Sequence, residues 1–148
     1  MKQLHLVVFT PEGKKLDEMV DFIQIHTSDS FLGILPSHAP LIADVKISRL
    51  LTRVNGVDSN FAVGEGMFSV KDDEVKVIVD TIEHSSEIDI ARAMDAKKRA
   101  EERLDNALKG DEEVDVKRAE IALSKALNRI AVADESSYSE GLKKQLID

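Results

Sequence analysis

The side chains best suited to chemistry in this sequence are a few charged residues in its second half. Asp89 and Arg92 stand at the start of one long alanine-rich pattern, and Lys125 and Arg129 stand on a second. Arginine forks pair with phosphate oxygens, so these cations can converge on a phosphate or nucleotide while Asp89 and Glu83 orient them. The alternative is that they point separately into solvent, as charges on helix surfaces commonly do. The residues alone leave both interpretations open.

Other reactive arrangements are absent from the sequence. The four histidines stand on separate predicted elements without the spacing of metal ligands, and the chain has no cysteine. It also lacks a phosphate-binding glycine-rich loop, a Gly-x-Ser-x-Gly nucleophile elbow and any set of residues that reads as acid, base and nucleophile. We therefore predict no metal site, no required cofactor and no catalysis by this chain alone.

Residues 33–41, with the sequence GILPSHAPL, form a second candidate site. Two prolines restrict the backbone on either side of His38 and predict a corner between strands. The functional interpretation is that the stiffened segment forms a projecting loop, whose Phe31, Leu32 and His38 contact another protein beside the acidic Asp29. The predicted interface consists of Asp29, Phe31, Leu32, Gly33, Pro36, His38 and Pro40.

Composition limits the classes of partner. The chain has 148 residues, 43% of them hydrophobic, and a net charge of -8, so no basic face dominates to collect nucleic acid or anionic lipid. No apolar stretch approaches the roughly 18 residues of a membrane-spanning helix, and no targeting segment precedes Leu4. We expect a soluble folded protein whose partners are proteins, without direct membrane insertion.

The first 84 residues have the short period of β-strands. The clearest runs span residues 4–9, 20–26, 31–35, 41–45, 50–54, 61–63, 67–70 and 75–79. Turn residues separate them at intervals too short for helical crossovers, which indicates antiparallel hairpins. We predict an α+β protein whose first domain, residues 1–84, is an antiparallel β-sandwich or flattened barrel of about ten strands.

From residue 85 the pattern becomes helical. Ser86 is the expected N-cap, with Asp89 three residues on, of a helix of about 23 residues that stops at Gly110. Acidic residues 111–113 open a second helix that ends near Asp134. Alanines every three or four residues predict an antiparallel two-helix hairpin over residues 85–134, followed by a flexible tail, residues 135–148. A turn centred near Gly110 pairs residues whose numbers sum to about 221, which sets Arg92 opposite Arg129.

Three segments together resemble the epsilon subunit of bacterial F-type ATP synthase: residues 33–41, the Gly64-Glu65-Gly66 turn, and the motif of Ile88, Asp89, Arg92 and Ala93. The resemblance extends to about Asp134. It implies a non-catalytic rotor subunit on the cytoplasmic face of the bacterial cell membrane, fixed to the gamma subunit and seated on the ring of c subunits. Such a subunit couples proton-driven rotation to ATP synthesis, and its hairpin, when raised toward the alpha/beta hexamer, blocks ATP hydrolysis.

The resemblance also implies a regulatory ligand. Some bacterial members bind ATP on the folded hairpin through the same motif and basic residues of the second helix. Arg129 matches a family arginine, whereas Lys125 stands where ATP-binding members carry arginine, and lysine offers a point charge in place of a bidentate fork. The alternative function from another class is a free-standing β-sandwich that binds ATP or carbohydrate.

Overall fold

A computed structural model describes residues 2–134, which fall into two compact units with the boundary between His84 and Ser85. The predicted tail, residues 135–148, lies outside the described residues. The first unit is a β-sandwich of ten strands in two five-stranded sheets, and the second contains two α-helices. The predicted fold class is confirmed.

The sheets have the strand orders β2-β1-β9-β8-β5 and β10-β7-β6-β3-β4. The ten strands are β1 Leu4–Thr10, β2 Gly13–Val20, β3 Phe22–His26, β4 Phe31–Ile34, β5 Leu41–Val45, β6 Ser48–Val54, β7 Val57–Val63, β8 Gly66–Lys71, β9 Glu74–Val79 and β10 Ile82–His84. Every pairing is antiparallel except that of β1 with β9, which is parallel.

The sequence pattern did not predict two of the ten strands, β2 and β10. β2 lies at the edge of the first sheet and is mostly exposed, so its charged residues conceal the alternation on which the prediction depended. β10 has only three residues, which is too few for an alternating pattern to be recognised. The predicted run over residues 20–26 is therefore wrong in its start, because Val20 ends β2 and β3 begins at Phe22.

Alternate side chains of the strands form the core between the two sheets. In β1 and β9 every second residue faces inward, so that Leu6 lies beside Val75 and Val8 beside Val77. β3 and β8 contribute their own alternating residues, including Ile23 and Phe68. Full burial of each such side chain stabilises the fold by about 1.5–3 kcal/mol. The hydrophobic core thus fixes which residues of each strand face outward.

Tight turns set the strand register at two hairpins. Asn55 and Gly56 connect β6 to β7 with φ angles of 51° and 76°, as a type I′ turn requires. Asp72 and Asp73 connect β8 to β9 with φ angles of 51° and 62°. Aspartate tolerates this left-handed region better than most residues, because its short side chain can hydrogen-bond locally. Both turns lie where the sequence predicted them.

The first helix starts later than predicted. Residues Ser85–Glu87 form a 3₁₀ turn, and the N-cap of α1 (Ile90–Leu108) is Asp89 rather than Ser86. The carboxylate of Asp89 accepts the backbone N–H of Arg92 at 3.1 Å, which satisfies one of the free donors of the first turn. The helix consequently has 19 residues, and the predicted length of about 23 is wrong.

The end of α1 follows the expected signal. Gly110 adopts a φ of 98° and donates to the carbonyl of Ala107, while Asp111 donates to the carbonyl of Asn106. These two bonds are those of a Schellman motif, in which glycine takes the left-handed position without a Cβ penalty. The stop at Gly110 is therefore confirmed.

The second helix, α2 (Val116–Ala133), also starts later than predicted. Its N-cap is Asp115, whose carboxylate accepts the N–H of Arg118 at 3.1 Å, so the acidic residues 111–113 belong to the connection. The alanine seam is confirmed, since Ala93, Ala100, Ala119 and Ala126 are all buried.

Candidate functional site

The predicted corner between strands is a tight turn that joins β4 to β5. The N–H of His38 donates to the carbonyl of Leu35 at 3.2 Å, and Ser37 has a φ of 70°. With Pro36 before it, Ser37 occupies the position of a type II turn that needs a positive φ. Nδ1 of His38 lies 2.7 Å from the carbonyl oxygen of Ala39, so this nitrogen carries the proton. The loop has a defined backbone and a fixed histidine.

Three of the predicted interface residues lie on strand β4, within the run that the sequence predicts as a strand. Phe31 is exposed and its ring meets the His26 ring edge-on, with centroids 4.3 Å apart. Leu32 is partly buried and packs against the core, and its contact with a partner stays a prediction. A Cβ on Gly33 would lie 3.0 Å from the ring of Phe22, so this glycine makes room for that ring. Phe31 thus has the most exposed apolar side chain of the three.

The acidic Asp29 lies in the turn between β3 and β4. Thr27 organises this turn, because its Oγ1 accepts the N–H groups of Asp29 and Ser30 at 3.2 and 2.9 Å. Asp29 and His38 are thus separated by the whole length of β4. The seven predicted interface residues are therefore spread along β4 and the turns at its two ends, and do not lie in one loop.

The imidazole ring of His26, which contacts the Phe31 ring, is uncharged. Burial, with the nearby charges of Lys46 and Arg49, lowers the pKa of His26 to about 4. A neutral imidazole is a better surface for the Phe31 ring than a hydrated cation. The exposed phenylalanine therefore has a fixed apolar support.

Sequence reasoning missed an apolar patch on the outer face of the first sheet, formed by Phe9, Ile42, Met67 and Ile78. Ile78 of β9 pairs with Phe9 of β1 on one side and with Met67 of β8 on the other. Ile42 on β5 pairs with the neighbouring Ser69. The exposed fractions are 60% for Ile78, 49% for Met67, 37% for Phe9 and 75% for Ile42. An adjoining set of exposed apolar side chains is typical of a protein contact.

A charged cluster lies on the same outer face, at the other end of β1 and β9. Nε2 of His5 is 2.7 Å from Asp17 on β2, and its Nδ1 is 2.9 Å from Glu74 on β9. Hydrogen bonds to Asp17 first and Glu74 second raise the pKa of His5 above its usual value. Only the imidazolium can donate from both nitrogens at once. His5 thus ties three neighbouring strands together through its charge.

The helical unit places the predicted nucleotide motif around the start of α1. Ile88 and Ala93 are buried, so their first role is packing. Asp89 caps the helix, and the side chain of Arg92 is 84% exposed with its Nε 3.8 Å from Asp89. The motif therefore presents one cation and one carboxylate to solvent from the first turn of a helix.

The remaining predicted nucleotide residues lie on other elements. Lys125 and Arg129 are half-buried on α2, one helical turn apart. Arg92 lies in the first turn of α1 and Arg129 near the end of α2, and the predicted opposition of the two stays a prediction. Glu83 lies on β10 in the sandwich unit. Asp89, Arg92 and Arg129 lie near the helix ends remote from the connection, and Lys125 lies near the middle of α2.

Within residues 2–134, no group of three His, Cys, Asp or Glu side chains is placed to hold a metal ion. Neither helix in that range has an apolar run that would span a bilayer.

Two family descriptions match the chain in succession. Residues 3–85 match "ATP synthase, Delta/Epsilon chain, beta-sandwich domain", and residues 86–134 match "ATP synthase, Delta/Epsilon chain, long alpha-helix domain". Together they cover almost all of the described residues.

Individual relatives agree with both descriptions. The chain is 44% identical over 133 residues to the ATP synthase epsilon chain of Desulforamulus reducens, with 90% of this chain and 98% of the relative covered. It is 39% identical over 133 residues to that of Halalkalibacterium halodurans, with the same coverage. A chain of the Euglena gracilis mitochondrial ATP synthase has the same fold, with a TM-score of 0.74, 22% identity, and coverage of 92% of this chain and 81% of that one.

Proposed function

The chain belongs to the epsilon-subunit family of ATP synthase, a non-catalytic component of the central stalk, and from this premise we propose that it couples rotation of the c-ring to ATP synthesis. In this role it binds the gamma subunit and the c-ring and turns with them as protons pass. Its location is the cytoplasmic face of the bacterial cell membrane, where it is held peripherally by the rest of the complex. The match over both units argues against a free-standing ATP- or carbohydrate-binding module.

The observation that carries the coupling role is the apolar patch. A subunit that transmits torque needs a contact that does not slip, and its binding energy comes mainly from a few buried apolar side chains. Phe9, Met67 and Ile78 extend across three adjacent strands of a rigid sheet. We assign this patch to the gamma subunit. The loop of residues 35–40 continues directly into β5 and Ile42, so it extends the same contact surface.

The c-ring contact is assigned to the opposite end of β4. Asp29 and the supported ring of Phe31 stand there, one charged and one apolar, on a turn that Thr27 holds in shape. A surface of this composition fits a polar protein loop with one apolar side chain. The contact then depends on Phe31 for burial and on Asp29 for orientation.

The hairpin supplies the proposed control of ATP hydrolysis. Its two helices meet through alanines, which bury little apolar area per residue, while Ile90, Met94 and Leu127 remain exposed. Most of the stability of a helix in a protein comes from the tertiary packing of its apolar face. Such a hairpin can exchange one set of contacts for another, and the raised arrangement would place it against the alpha/beta hexamer and block hydrolysis.

ATP is the proposed regulator of that exchange. Arg92 is exposed at the start of α1, with Asp89 beside it and Lys125 and Arg129 on α2. Arginine binds phosphate with paired donors, and lysine adds a point charge. In this proposal ATP neutralises these cations and so favours the folded hairpin over the raised one.

Reconstitution tests the function as a whole. Membranes that contain the ATP synthase without its epsilon subunit should recover coupled ATP synthesis when the full chain is added, and the chain should then sediment with them together with gamma. Deleting residues 85–148 should leave coupling intact and raise ATP hydrolysis. A chain that stays in the supernatant in the presence of gamma contradicts the proposed role.

A further inference from the structure

The turn of residues 35–38 contains a serine in an unfavourable conformation. Ser37 has a φ of 70°, which lies in the left-handed region, where the Cβ of an L-residue comes too close to the following carbonyl oxygen. Glycine or asparagine usually occupies this position of a type II turn. A non-glycine residue persists there when surrounding contacts determine its conformation.

One such contact comes from a distant part of the chain. The backbone N–H of Ser37 donates to Oδ1 of Asp73 at 2.6 Å, across 36 positions of sequence. A bond from an amide to a carboxylate is charge-assisted and about twice as strong as a neutral one. The donor of this bond is the peptide N–H of Ser37, the residue with the unfavourable φ.

Asp73 offers this carboxylate from a fixed position. It is the second residue of the two-residue turn between β8 and β9, and its own carbonyl accepts the N–H of His5 at 2.8 Å. The next residue, Glu74, is bound by the His5 side chain. The acceptor is therefore held by three strands of the first sheet, while the loop that it contacts belongs to the connection from the second sheet to the first.

We propose that the Asp73 carboxylate is the positioning group of the 35–40 loop, and that it maintains the turn which presents Leu35 and His38 for partner binding. Asp73 touches no partner in this role; it acts through the backbone of Ser37. The effect on gamma binding rests on the proposed function, whereas the effect on the turn does not.

Amide hydrogen exchange of the full chain, followed by NMR, tests the positioning role directly. Asp73→Gly removes the acceptor and keeps a residue that accepts the φ of 62°. Loss of a charge-assisted bond should speed exchange of the Ser37 amide by about tenfold or more. The matched control is Asp72→Gly, the other residue of the same turn, which should leave Ser37 exchange within about twofold of the parent.

A second variant keeps the test decisive if Asp73→Gly folds poorly. Asp73→Asn tolerates the same backbone and retains a neutral acceptor, so Ser37 exchange should rise severalfold but less than in Asp73→Gly. An exchange rate equal to that of the parent in both variants overturns the proposal.

Relief of the strain should remove the need for Asp73. In a Ser37→Gly background, Asp73→Gly should lower the melting temperature by a smaller amount than it does in the parent chain, because glycine takes the turn without support. Equal decreases in both backgrounds contradict the link between the strained serine and the carboxylate.

Gamma binding is measured separately with the same variants. Weaker binding by Asp73→Gly, with unchanged binding by Asp72→Gly, extends the positioning role to the partner contact. Faster Ser37 exchange with unchanged affinity for gamma leaves the positioning role intact and rejects the loop as part of the gamma surface.

Discussion

The imidazole of His5 lies between the carboxylates of Asp17 and Glu74, at 2.7 and 2.9 Å, and joins strands β2, β1 and β9 across their outer face. Lys14 also reaches Asp17 at 2.7 Å, and hydrogen bonds from Lys14 first and His5 second lower the pKa of Asp17. Lys71 and Lys76, on the same face of β8 and β9, are the other nearby charges. The edge strand β2 is thus held by a charge whose presence depends on pH.

Stability should depend on pH through His5. Its pKa in the fold is raised, so the stabilisation is fully present below the ordinary value of about 6.5 and is lost as pH rises through the higher folded value. Urea unfolding of the parent chain should give a lower free energy of unfolding at about pH 9 than at about pH 6. In His5→Gln this difference should be smaller. Asp17→Asn keeps His5 but removes the charge of one of its two carboxylate partners, so it should reduce the difference between the two pH values in part. An unchanged pH slope in His5→Gln contradicts the assignment.

His26 should act in the opposite direction. Its pKa falls to about 4 in the fold, so acidification from about pH 6.5 to pH 4 protonates the unfolded chain first and destabilises the fold, by about 3 kcal/mol at most. His26→Leu should remove this part of the acid sensitivity, measured as the difference in unfolding free energy between pH 7 and pH 4.5. The contact with Phe31 can be followed in the same samples through the ring proton shifts of Phe31.

Two glycines should differ in their tolerance of alanine. A Cβ on Gly66 would overlap the backbone oxygen of Ile78, so β8 and β9 could not keep their spacing. Gly66→Ala should therefore lower the free energy of unfolding by more than about 3 kcal/mol. In Gly33→Ala the new Cβ would lie 3.0 Å from the edge of the Phe22 ring, a side chain that can move. This substitution should lower the free energy of unfolding by about 1 kcal/mol. Chemical unfolding of both variants measures which of the two substitutions lowers the free energy of unfolding more.

Gamma binding should depend on the apolar patch. Ile78→Asp places a charge in its centre, and we expect affinity for gamma to fall by about 100-fold, as for a central interface residue. Val57→Asp is the matched control, because Val57 is 68% exposed but lies on β7 of the other sheet. Isothermal titration calorimetry with purified gamma measures both. Equal losses in the two variants would reject the patch as the contact.

Nucleotide binding should require the arginine of the first helical turn. Calorimetric titration of the full chain with Mg-ATP should give saturable binding that Arg92→Ala weakens by about tenfold or more, since charge-assisted bonds to phosphate are lost. Arg99→Ala, an exposed arginine two turns further along α1, is the control and should bind as the parent does. Lys125→Arg should tighten binding by adding a bidentate fork. No heat at millimolar ATP would remove the sensing role and leave the coupling role unaffected.

Alternation of apolar residues predicted most strands, because core-facing positions leave a period of two in the sequence. The charges of Lys14, Lys15, Asp17 and Glu18 hid β2, since both faces of this edge strand are largely exposed. The start of α1 was misplaced because Ser86 and Asp89 are both good N-caps, and local sequence does not decide between them.

The apolar patch could not be found from the sequence for a different reason. Phe9 and Ile78 are far apart along the chain and become neighbours only through the parallel pairing of β1 with β9. No local pattern encodes that pairing. The nucleotide motif was located by resemblance, and the structure adds that two of its four residues are buried.

The parallel pairing of β1 with β9 also constrains synthesis of the chain. β1 leaves the ribosome well before its inner neighbour β9, which is not complete until Val79 has been made. Until then β1 can pair only with β2, and a two-stranded hairpin is marginally stable in water. The first sheet must therefore assemble late and through contacts of long sequence separation, which fold slowly. A nascent chain that stalls before residue 79 leaves the apolar faces of both sheets open to chaperones and proteases.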